Sequence, residues 1–105
     1  MTERPRTAQE YAALVKQTIL ELEDILEAAD FDFDEVEHQL GYVEVLLKEL
    51  RAMRAAMADG SYQFGRHDLP MMRIVKKYTD KELPCIRLLY RINETHRAGL
   101  DIDTD

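Results

Sequence analysis

The sequence has no tryptophan, one cysteine, three prolines and four glycines in 105 residues. A lone Cys85 excludes an intrachain disulfide and points to a reducing compartment. So few Pro and Gly exclude collagen-like and linker-rich chains and leave room for long uninterrupted helices. No apolar run approaches the ~20 residues that a bilayer span needs, and the polar opening Met-Thr-Glu-Arg-Pro-Arg lacks the apolar stretch of a secretory signal. The expected location is therefore cytoplasmic. Positive charge is the other shortage: 14 Lys and Arg stand against 21 Asp and Glu, a net charge of -7. That balance argues against general affinity for nucleic acid or anionic membrane and favours a protein partner of basic character.

What is present is a helical pattern. Hydrophobic residues at 46% and charged ones at 33% suit one compact domain over residues 1–105. Val36, Leu40, Val43, Leu47, Leu50, Met53 and Met57 recur at steps of three and four, the period of one helix face. Tyr11, Val15, Thr18, Leu22, Ile25 and Ala29 form a second such seam. The two should fold back on each other as an antiparallel hairpin. Thr7 and Glu10 have capping-box spacing, so the first helix begins near Ala8, after a frayed arm at 1–6. Phe31 and Phe33 plug the corner, and Asp34 can cap the second helix. Gly41 is the discord in that helix, at a cost of ~1 kcal/mol. A kink there, a close approach of the first helix, or a start after Gly41 would each account for it. Gly60 supplies the stop.

Beyond the loop at 61–67, Asp68 can cap a third helix over Leu69–Tyr78, with Met72 and Val75 inward. Pro84 separates it from a fourth, 84–97, whose inward stripe is Cys85, Leu88, Leu89 and Ile92 and whose outward side carries Arg87, Tyr90, Arg91 and Glu94. Residues 100–105 form an acidic tail. The expected fold is all-α, a long hairpin plus two shorter helices, as a four-helix bundle or an irregular relative.

Charge is segregated along the chain. Residues 1–60 hold 6 basic and 14 acidic side chains, whereas residues 61–98 hold 8 basic and 4 acidic. Either the two halves neutralise each other internally, or one pole is left to meet a partner.

Constellations with catalytic or metal chemistry do not assemble. Asp30-x-Asp32-x-Asp34 begins like a calcium loop, but Glu35 stands where that loop needs Gly and Gly41 where it needs Glu. Glu35-x-x-His38 has the spacing of a carboxylate-bridged metal pair, yet a metal-binding helical bundle needs two such pairs. Cys85 with His96, and Ser61 with His67, are the nucleophile candidates; the stripe position of Cys85 favours a buried, inert thiol. No phosphate loop exists, and neither an enzyme nor a cofactor is expected.

Two recognition surfaces remain. Acidic Glu21, Asp24, Glu27 and Asp30 suit a basic protein partner, while Tyr62, Phe64, Arg66, Tyr90 and Arg91 combine area with directional hydrogen bonding. Tyr62 and Phe64 could equally close the open end of the bundle. A homodimer through the two long seams is open as well. The alternatives to an interaction or regulatory protein are a DNA-binding regulator offering Arg87, Tyr90, Arg91 and Asn93 from helix 84–97, and a metal-binding helical bundle.

The segments Asp68-Leu69-Pro70 and Thr95-His96-Arg97-Ala98-Gly99-Leu100 resemble parts of short, acidic, helical proteobacterial proteins that carry a general-secretion-pathway label. The resemblance covers the C-terminal half, implies a bacterial cytoplasmic setting, and assigns no functional residue.

Overall fold

The computed structural model describes residues 4–29, 41–81, 83 and 85–100. Among them every regular element is a helix: α1 (Ala8–Ala29), α2 (Gly41–Asp59), α3 (Met72–Val75) and α4 (Ile86–Ala98). α1 packs along α2 and also against α4, which in turn meets α3. The all-α architecture with bundle-like packing is the one the periodicity predicts.

α1 starts where its cap dictates. Glu10 N–H donates to Thr7 Oγ1 at 3.0 Å, and the Thr7 hydroxyl turns its proton to the Glu10 carboxylate at 3.3 Å. Tyr11, Val15, Thr18 and Leu22 are buried along the seam, joined by Leu14 and Ile19. The opposing face of α2 buries Val43, Leu46, Leu47, Leu50 and Met53. Each fully buried aliphatic contributes roughly 1.5–3 kcal/mol, so this hydrocarbon interface dominates the hairpin. Thr18 keeps its hydroxyl satisfied on the Leu14 carbonyl at 2.8 Å, which lets a polar residue occupy a seam position.

Several expectations need correction. The arm at 1–6 is not frayed throughout, because Pro5 is buried and Arg4 Nη1 donates to the Gly99 carbonyl at 3.3 Å. Gly41 does not permit a close helix approach: a Cβ there would meet nothing within 4 Å, and the described helix begins at that residue. Asp30, the Phe31/Phe33 corner, the Asp34 cap, Val36, Leu40 and the Glu35–His38 pair lie outside the described residues. α2 ends as expected, with Gly60 at φ +81° and the Ser61 N–H closing onto the Ala56 carbonyl at 2.9 Å.

The third helix is much shorter than Leu69–Tyr78. Only Met72–Val75 is α-helical, and the flanking residues bond three apart, Met72 to Leu69 and Lys77 to Ile74. The N–H groups ahead of this turn, which a helix start leaves without backbone partners, are answered by side chains. Leu69 N–H donates to Asn93 Oδ1 at 2.8 Å, and Met71 N–H to Glu49 Oε2 at 3.1 Å. Side chains of α4 and α2 thus cap a segment that Asp68 was expected to cap. Asp68 instead accepts from Asn93 Nδ2 at 3.0 Å and from Lys76 Nζ at 2.8 Å.

Candidate docking surface

Three places on this frame carry polar or aromatic chemistry. The first is the junction of α1, α4 and the loop after α2. Tyr11 Oη donates to the Ile92 carbonyl at 3.1 Å. A phenol has one proton, so in its 2.9 Å contact with Tyr62 the Tyr11 oxygen must accept. The Tyr62 proton is then spent, and its 2.6 Å contact with His96 requires Nδ1–H of the imidazole to donate. A one-way chain of three hydrogen bonds results, and it fixes the histidine tautomer. Phe64 stacks on Tyr11 with ring centroids 5.7 Å apart, and Gly65 N–H bonds the His96 carbonyl at 3.1 Å. Gly65 has to be glycine, because a Cβ would lie 2.9 Å from His96 Nε2.

Burial sets the protonation of this junction. It raises both phenols, with the Tyr62 contact adding to the effect on Tyr11, and it lowers the His96 imidazole. The groups stay neutral, and each proton is held in a hydrogen bond. This arrangement fixes a loop rather than activating a nucleophile. An apolar cleft of about 380 Å³ opens beside it, walled by Tyr11, Met57, Tyr62 and Phe64 with Arg54 at the rim.

The second place is Asp68. Lys76, then Asn93, hold its carboxyl well below the usual range, at about 2, and Arg97 approaches to 3.3 Å. Arg66, Tyr90 and Arg97 line a shallow groove of about 520 Å³ over this cluster, and Phe64 with Leu100 continues it past Arg66. The structure therefore brings Arg66, Tyr90 and Phe64 to one side of the molecule, with Tyr90 43% and Phe64 45% exposed. Tyr62 is half-buried in the junction, and Arg91 is half-buried rather than outward. Asn93 is buried at the base of that groove with its amide committed to Leu69 and Asp68, so it does not stand outward on helix 84–97 beside Arg87 and Tyr90.

The third place is the outer side of α1. Asp24 and Glu27 are exposed there. Glu21, expected beside them, is half-buried, and its charge adds to the burial that pushes the Cys85 thiol up to about 11. Cys85 is buried and protonated. His96 sits eleven residues further on, roughly 16 Å along the helix, and is engaged with Tyr62. The Cys85–His96 pairing does not form. Ser61 N–H donates to Asp59 Oδ1 at 2.8 Å, with no His67 partner among the described residues.

Sequence reasoning missed Leu20, which stands 51% exposed amid the acids of α1, and Val45, equally exposed on α2. It also missed Asn93 and Glu49 as long-range caps. Asn93 gave a signal: it lies four residues after Leu89, a stripe position where a poor helix former has no reason to sit unless its amide is used.

Among the described residues no group of three His, Cys, Asp or Glu could hold a metal ion, and no helix is long and apolar enough to cross a membrane. No family model, curated protein or solved structure matches the chain.

Proposed function

We propose that the chain is a non-enzymatic interaction module that docks a partner carrying basic side chains on the outer face of α1. The observation behind this reading is Leu20, an exposed large apolar side chain with Asp24 four residues beyond it and Glu27 one turn further along the same face. Asp24 and Glu27 carry no ion pair among the described residues, so their charge is available to a partner. An apolar anchor followed along the helix by two free carboxylates combines desolvated area with a sign preference on that side. A cytoplasmic setting agrees with a single, buried, protonated cysteine.

The test is affinity capture with the wild-type chain and with the D24N/E27Q variant, both immobilised at equal density. Partners retained by the wild type should be lost from the variant. Identical sets of bound proteins would refute the acidic face as the docking surface.

A further inference from the structure

Beside Leu20 the α1 and α2 helices leave a groove of about 430 Å³, floored by Ile19, Ala55 and Ala58. Its rim is basic. Lys16, Arg51 and Arg54 line it against a single acid, Glu23, which Arg51 already engages at 2.7 Å. Lys16 and Arg54 have no ion pair among the described residues. On a chain of net charge -7 this is a local reversal of sign.

The reversal has a defined geometry. Lys16, Leu20 and Asp24 follow one another at four-residue spacing, so they form one ridge of α1 with a cation before Leu20 and an anion after it. Lys16 and Asp24 lie about 12 Å apart with Leu20 midway. A two-fold interface uses the same patch on both partners, and such a patch must complement itself. This ridge does so when two copies lie antiparallel with the dyad opposite Leu20. Residues equidistant from Leu20 then face each other.

We infer that the partner of the α1 face is a second copy of this chain, paired antiparallel so that Leu20 meets Leu20 and Lys16 of each copy meets Asp24 of the other. Glu27 of the second copy then runs toward the basic rim that Arg54 and Lys16 supply. The inference rests on the docking reading above and names its partner. It differs from pairing through the buried seams, which are already occupied within one chain.

Sedimentation and light scattering from roughly 1 µM to roughly 1 mM measure the self-association. Leu20→Glu should weaken it at least about tenfold, and because Leu20 is exposed on the single chain the thermal melt of the variant should match the wild type at dilutions where both are monomeric. Lys16→Glu and Asp24→Lys should each weaken it alone, since both create like-charge contacts across the dyad. Mixed in equal amounts, these two variants should associate again. The carboxylate introduced in one then faces the ammonium introduced in the other, and the Asp24 kept by the first faces the Lys16 kept by the second. A wild type that stays monomeric throughout, or a mixture no better than its components, overturns the self-pairing. If that happens while D24N/E27Q still loses its captured partner, the docking reading stands without this partner. If D24N/E27Q captures and self-associates like the wild type, both fall.

Discussion

The hairpin of α1 and α2 and the segment from Ser61 to Ala98 are held by different physics. In the hairpin, Val15, Leu22, Leu46, Leu47 and Leu50 are essentially inaccessible, and the helix backbones satisfy themselves. In the second region the described backbone ahead of α4 is irregular apart from the single turn of α3. Its amides are answered by side chains from distant elements, Leu69 by Asn93 and Met71 by Glu49, and its loop hangs on Tyr62 and His96. Both regions bury hydrocarbon, but the second also depends on buried donors that would be orphaned if their distant acceptors were lost.

The contrast can be broken first on the hydrocarbon side. Leu50→Ala should cost about 2–5 kcal/mol in chemical denaturation, because Leu50 is wholly buried and the paired helices cannot collapse onto the space. A loss under ~1 kcal/mol would mean that α1 and α2 do not enclose it.

Next comes the polar side. Asn93→Ala removes the acceptor of the Leu69 N–H and one donor to Asp68, and leaves a buried amide unanswered at a cost of about 1–3 kcal/mol. Asn93→Leu should be no better, although Leu is the superior helix former. If Leu restores stability, α4 carries Asn93 for some reason other than capping.

The smallest effect sharpens the contrast through pH. The His96 imidazole is lowered below its ordinary value near 6.5 by burial, so the unfolded chain binds a proton more readily than the folded one. Stability should therefore decline as pH falls from about 7 through 6.5 and below, and His96→Gln should flatten that slope. Leu50→Ala should leave it unchanged. Tyr62→Phe, which removes the phenol accepting from Nδ1, should cost about 0.5–1.5 kcal/mol near neutral pH.

The two regions also differ in how much their residues disclose. The seams of α1 and α2 were legible because a 3.6-residue period records burial directly. The predicted seam residues whose side chains are described, apart from the half-buried Ile25 and Met57, lie in the core. Leu14 and Ile19 were overlooked because α1 is covered on two sides, by α2 and α4, which widens its stripe beyond a single line. The short α3 was illegible for a different reason. Its leading amides are answered by Asn93 and Glu49, 24 and 22 residues away in sequence, and no local pattern encodes a donor–acceptor match over that span. Asp68 looked like a cap by composition, yet Lys76 and Arg97 draw its carboxylate away. The Tyr11–Tyr62–His96 chain was hidden likewise, since each member is an ordinary aromatic or imidazole until folding brings the three together. Of the recognition residues, Asp24, Glu27, Phe64, Arg66 and Tyr90 are exposed as read, whereas Glu21, Tyr62 and Arg91 are partly withdrawn.

The borrowed caps of α3 bear on the order in which the chain acquires its shape. A single helical turn has no nucleus of its own, and here its first amides find acceptors only after α2 and α4 have assembled. The Leu69–Val75 stretch should therefore take shape only alongside both neighbours, whose core it completes through Leu69, Met71, Met72 and Val75. Its amides should lose protection together, ahead of those in α1, when the molecule begins to open.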